Sequence, residues 1–291
     1  MFERQRGILL MVAAAIGFAV MNSLAKVVAS HGVPSTEIAF ARAIMGLPIL
    51  YGAIRVRRLP FVVKNTRAMW MRALAGTAGL LCTFHALATL PLGEATALQN
   101  TTPLFVAMLG FLFLGERVRV RVITMLVLGF IGVVLILRPE AEDFADGSIA
   151  LLAGAFSAVA MVSLRRLGAT ESPEIVVFWF AAASSVVAGA LSIKSLMLPE
   201  WPDLLRMVAM GVVGTVAQIW MTRAYALDVA ARVGGGSYVN VVVCAIIGAV
   251  FFAEPILWTA TLGIAIILLA GLGVALDAQN AGKAKAESPK L

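Results

Sequence analysis

The residues able to do chemistry in this chain are few, and they sit inside long apolar stretches. Gln99, Asn100, Thr101 and Thr102 form a polar run directly before Pro103. At about 100° per residue such a run covers most of a helix circumference, so part of it must face protein or a cavity. Ser237, Tyr238 and Asn240 stand 138 residues after Gln99, Asn100 and Thr102. Arg42 offers a forked set of donors that fits a carboxylate; the alternative is a structural pair with Glu37 or a backbone carbonyl. His85 brings an imidazole that donates to a ligand or titrates near neutral pH; the alternative is a hydrogen-bonded packing histidine. Gln218 adds a carboxamide, and Trp179 adds a ring deeper than Trp70, Trp201 and Trp258, which stand near segment ends.

These types suit recognition rather than bond-breaking. There is no phosphate loop, no HExxH, and no nucleophile–base pair close in sequence. The two cysteines, Cys82 and Cys244, lie in apolar segments, and no Cys or His pair has ligand spacing. No enzyme, no metal and no cofactor is therefore expected. The expected substrate-binding set is Arg42, His85, Gln99, Asn100, Thr101, Trp179, Gln218, Ser237, Tyr238 and Asn240. Pro103 breaks backbone regularity in one place, and Gly234-Gly235-Gly236 favours an irregular or flexible backbone in another. These four are the expected gating or hinge positions.

The elements that must hold these groups follow from composition. The chain has 291 residues, 61% hydrophobic and 13% charged, against roughly 25% charged in average soluble domains. Apolar runs near the length of a membrane span recur throughout. Ten spans are expected, at about 7–28, 36–54, 70–89, 94–114, 120–137, 147–167, 174–196, 204–226, 232–252 and 257–276. The polar tail 277–291 is expected to be disordered and cytoplasmic. The net charge of +7 reads as membrane orientation rather than nucleic-acid binding. With the N-terminus inside, eighteen Lys or Arg fall in inner segments, Arg72 among them, and four in outer ones. That places both termini in the cytoplasm and the chain in the inner membrane, with the lipid bilayer as its surroundings.

The second five spans are a weak copy of the first five. Gly76-Thr77, Ala86, Ala88, Ala107, Gly110, Phe113 and Glu116 fall on Gly214-Thr215, Ala224, Ala226, Ala245, Gly248, Phe251 and Glu254 without a gap. Five is odd, so the copies must have opposite topology, an arrangement common in secondary transporters. The expected fold is an all-α polytopic membrane protein of two inverted five-helix repeats, 1–138 and 139–276. Glu116 and Glu254 are expected as end anchors or hinge contacts rather than ligands. One chain suffices to enclose a cavity.

Leu98-Gln-Asn-Thr-Thr-Pro103-Leu-Phe, running into Phe113-Leu-Gly115-Glu116 and then Gly129-Phe-Ile-Gly132, resembles the drug/metabolite transporter superfamily, EamA type. The second half repeats the pattern as Phe251-Phe-Ala253-Glu254-Pro255, with Ala253 in place of Gly and no proline opposite Pro103. The resemblance implies a central cavity lined mainly by the third, fourth, eighth and ninth spans, worked by alternating access. Members include YddG-like amino acid exporters and carriers of S-adenosylmethionine and sugar phosphates. The site reads as polar but nearly uncharged, with Met21, Met161 and Phe84 nearby. A zwitterion with an apolar side chain, an aromatic or bulky amino acid, therefore fits better than a phosphate ester, which would want several Lys or Arg. Export of amino acids is the favoured expectation. Uptake of an S-adenosylmethionine-like metabolite, export of toxic cations and a non-transporting scaffold are the alternatives.

Overall fold

The computed structural model describes residues 2–114, 120–137, 144–168, 170–227, 230–255 and 257–287. Among them it forms eleven helices: α1 (Phe2–Ser30), α2 (Ser35–Val56), α3 (Thr66–Thr89), α4 (Leu92–Gln99), α5 (Thr102–Leu114), α6 (Val120–Leu137), α7 (Phe144–Leu167), α8 (Pro173–Ser192), α9 (Trp201–Leu227), α10 (Ala230–Phe251) and α11 (Trp258–Glu287). The protein is an all-α polytopic membrane protein. Stretches of α1, α2, α7, α8 and α9 are each long and apolar enough to cross a bilayer; apolar stretches of α6, α10 and α11 are shorter. Glu116 lies outside the described residues.

The expected fourth span is two helices, α4 and α5, interrupted at Asn100 and Thr101. Pro103 has no N–H to give the carbonyl of Gln99, and its ring crowds that carbonyl. A carbonyl freed inside a membrane protein must find another donor. Thr102 Oγ1 donates to Gln99 O at 2.9 Å, and Thr101 Oγ1 donates to Leu98 O at 2.6 Å. The threonines before the proline thus satisfy the backbone that the break releases.

The triple glycine behaves differently from expectation. α10 runs as continuous helix through Gly234, Gly235 and Gly236. A side chain at Gly236 would press on Met11 Cγ at 3.1 Å. Glycine at 236 thus serves close approach of α10 to α1, and packing holds the helix that propensity alone would loosen.

α1 packs on α9 and α10, and α3 on α7 and α8; α4 and α5 pack on α7, α2 packs on α8 and α9, and α6 on α11. Replacing each of the first five spans by its counterpart among the last five leaves this set of partners unchanged. The α6–α11 crossing is backbone against backbone: a Cβ at Gly132 would lie 2.8 Å from Gly263 O, and one at Gly263 would lie 2.7 Å from Gly132 O.

Polar clusters tie the two ends of the bundle. At one end, Glu254 bonds Lys26 Nζ at 2.7 Å and accepts from Leu92 N at 2.7 Å, while Lys26 donates to Leu90 O at 2.5 Å. This matches the end-anchor expectation for Glu254. At the other end, Glu174 Oε1 takes Arg57 at 2.9 Å and Arg223 at 2.5 Å. Trp70, Trp201 and Trp258 are exposed near helix starts, as interfacial tryptophans would be.

Candidate substrate-binding cavity

Residues three and four apart on a helix share a face. On α3 that rule gathers Arg72, Gly76, Gly79 and Thr83; on α1 it gathers Met11, Ala15, Phe18 and Asn22. Both stripes line one cavity of about 170 Å³. Its wall is completed by Arg42 of α2, the α4–α5 break, Met161 of α7, Phe180 of α8, Gln218 and Met221 of α9, and Ser237 and Asn240 of α10.

Of the residues expected from sequence, Arg42, Gln99, Asn100, Gln218, Ser237, Asn240 and Pro103 line this cavity. The other four expected substrate-binding residues lie elsewhere. Thr101 is fully buried with its hydroxyl on Leu98 O, turned toward Gly154 of α7. His85 comes two residues after Thr83, about 200° around α3 from the cavity stripe. It pairs with Asp146 at 2.8 Å, its side chain 38% exposed. Trp179 is 37% exposed and packs edge-on against Phe178; its neighbour Phe180 is the ring in the wall. Tyr238 is buried against α11, where a Cβ on Gly271 would collide with the Tyr238 hydroxyl.

Arg72 is the residue sequence reasoning misplaced. A third span starting at residue 70 makes it an inner-loop cation. The helix begins at Thr66, behind Asn65, whose side chain accepts from Ala68 N at 3.1 Å. That puts Arg72 two turns in, where it is 3% exposed. Gly76, one turn on, leaves the space its guanidinium fills: a Cβ there would run into Arg72 Nη1 and the Phe180 ring. The spacing Arg72-x-x-x-Gly76 was the available signal.

Arg42, 2% exposed, joins Arg72 around one ring. The Arg42 guanidinium carbon is 5.5 Å from the Phe180 centroid and that of Arg72 is 4.4 Å, so the charges are no farther apart than those distances combined. At that spacing they repel by about 1.5 kcal/mol or more, taking an effective dielectric of ~20. Neither has a carboxylate partner among the described residues.

Hydrogen bonding leaves a definite pattern of free groups. Arg42 Nη2 donates to Gln218 Oε1 at 3.3 Å, so the Gln218 amino group is turned away from Arg42. Asn240 Nδ2 is held by Ala15 O at 3.1 Å, and Asn22 Nδ2 lies 4.0 Å from Cys244 Sγ. Four buried polar atoms on cavity residues have no partner among the described residues: Arg42 Nε, Arg72 Nε, Gln218 Nε2 and Asn22 Oδ1. Buried polar groups are nearly always satisfied. Three donors and one acceptor around an apolar floor therefore define a complement: an anionic group with a donor beside it.

The EamA-like transporter family model matches residues 5–138. The pseudopaline exporter CntI of Pseudomonas aeruginosa is 33% identical over 254 residues, 85% of this chain and 88% of that protein. This chain belongs to the EamA-like transporter family. The EamA-like protein is also similar to a riboflavin transporter of Rhizobium johnstonii, 28% identical over 276 residues, covering 91% of this chain and 89% of that protein. It is 26% identical over 231 residues to an S-adenosylmethionine uptake transporter of Rickettsia bellii, covering 76% of each. A solved crystal structure shares the fold at a TM-score of 0.68 and 21% identity, across 95% of this chain and 99% of the other. The EamA-like protein is thus a multi-pass membrane transporter, and its family acts by moving molecules rather than by enzymatic chemistry.

Proposed function

We propose that this EamA-like transporter exports small carboxylate-bearing metabolites, amino acids foremost, across the inner membrane by alternating access, with both termini cytoplasmic. One observation carries the reading: a cavity assembled from most of the helices, whose buried groups without a partner among the described residues are three donors and one acceptor. A cargo carboxylate takes the fork of Arg42 and the Gln218 amino group. An ammonium or hydroxyl of the cargo donates to Asn22 Oδ1. Met21, Met161 and Met221 shape themselves to its apolar part.

The exchange symmetry of the helix partners supports ten crossings in two inverted repeats, 1–138 and 139–276, and with it a site reached from either side. A cavity lined from a single chain makes a monomer sufficient. Two guanidiniums in the wall disfavour a toxic cation as cargo.

Full-length protein in liposomes loaded with radiolabelled L-glutamate, L-phenylalanine or L-threonine tests the proposal. Efflux of at least one, abolished by Arg42→Gln, is expected. Empty-liposome rates for all three, or efflux indifferent to Arg42, would reject it.

A further inference from the structure

We propose that the Arg42–Phe180–Arg72 arrangement recognises a small dianion, so that the cargo carries two carboxylates or one phosphate. This rests on reading the cavity as the transport site, and it narrows the class of cargo. A neutral zwitterion has one carboxylate and would leave one of two buried cations uncompensated.

Both guanidiniums are almost fully buried, line the same cavity and contact one ring. Each keeps an unpartnered Nε, and neither meets a carboxylate among the described residues. Two cations brought together without a counter-charge are destabilising, and breaking up such a group by removing one member is normally harmful only where it strands an opposite charge. Here no opposite charge is stranded. The fold instead makes room for the second cation, through the missing side chain at Gly76. The sequence-based preference for a zwitterion over a phosphate depended on Arg72 being a loop residue, and its burial removes that ground. With both guanidiniums on the Phe180 ring, each fork can take one acidic group of a dicarboxylate, or both can take one phosphate.

The test uses full-length protein in detergent at constant ionic strength, with binding followed by calorimetry and thermal shift. Succinate and citrate probe the dicarboxylate form, glycerol 3-phosphate the phosphate form, and propionate, L-leucine and putrescine serve as monoanion, zwitterion and dication. At least one dianion is expected to bind about 10-fold or more tightly than propionate and L-leucine. Arg72→Gln should cut dianion affinity by about 10-fold or more, change propionate by about twofold or less, and leave the ligand-free melting temperature equal or higher. Arg72→Lys should recover part of the loss. Equal binding of mono- and dianions, no binding by any dianion, or an Arg72→Gln protein that melts early with the affinity ratio unchanged would each overturn the inference. A dianion that binds as described but is not transported in liposomes would sink the transport reading and leave dianion recognition by Arg42 and Arg72 standing.

Discussion

Arg42 and Gln218 meet across α2 and α9 at 3.3 Å, and that contact decides which end of the carboxamide faces the cavity. A guanidinium can only donate, so the Gln218 oxygen is committed and its amino group is free for a ligand. Replacing Gln218 by Glu would set a carboxylate against Arg42 and supply from the protein the charge that cargo otherwise brings. Anionic cargo affinity should fall by about 10-fold or more, with no drop in melting temperature. Binding titrations on Gln218→Glu beside Gln218→Leu check this; equal losses in both would mean that only shape matters.

Gly76→Ala is expected to act on Arg72 at one remove. The added methyl claims the space of Arg72 Nη1 and crowds Phe180. The guanidinium, at the end of a flexible side chain, moves rather than the backbone. Cargo KM should rise by about 10-fold, as for a lost charge-assisted bond, while detergent melting changes by only a few degrees, corresponding to about 1 kcal/mol. A large melting loss with KM intact would point to packing alone.

Gly132→Ala and Gly263→Ala each put a methyl into the other helix's carbonyl oxygen. Each should cost about 1–3 kcal/mol through overpacking. The double variant should cost less than the two added, because helices already pushed apart accommodate the second methyl. Thermal or denaturant unfolding of the three proteins measures this, and strict additivity would show that the two sites do not share one contact.

His85→Ala should leave transport and its pH profile close to wild type. The imidazole sits off the cavity stripe in a half-exposed pair with Asp146, and exposed pairs are worth about 1 kcal/mol or less. A flattened pH-gradient response in His85→Ala liposomes would restore the histidine as a proton carrier.

Tyr238→Phe should be neutral or slightly stabilising, within about 1 kcal/mol, because the buried hydroxyl has no partner among the described residues and its removal relieves a desolvation cost. Tyr238→Ala should cost about 3 kcal/mol or more by leaving a cavity. Melting curves of the pair separate ring from hydroxyl.

How far the sequence could be read follows from what periodicity resolves. Long apolar runs located the helices and Pro103 marked the irregularity at the α4–α5 break, because both are local effects of side chain on backbone. Polar groups flagged as costly at membrane depth, Arg42, Gln99, Asn100, Gln218, Ser237 and Asn240, do line the cavity. Two of the misses are rotations by one residue. Ser237 and Asn240 share a face, while Tyr238, about 100° away, points to α11. Phe180 rather than Trp179 reaches the cavity for the same reason. A single sequence gives the depth of a residue along a helix more readily than its azimuth, which neighbouring helices choose. Arg72 was lost to a different effect: a helix start misjudged by four residues, which turned a wall cation into a loop one.

Among the described residues, α6 and α11 lend no side chain to the cavity, yet they approach each other closely, carbonyl to glycine in both directions. A slip of one residue along either helix would drive a branched side chain, Ile131 or Val133 on one partner, into the backbone of the other. The pair is therefore indexed like the teeth of a key in a lock. It forms a keel that keeps residues 120–137 in fixed register with 258–273, and any rearrangement that opens the cavity has to be made by helices that this keel does not clamp.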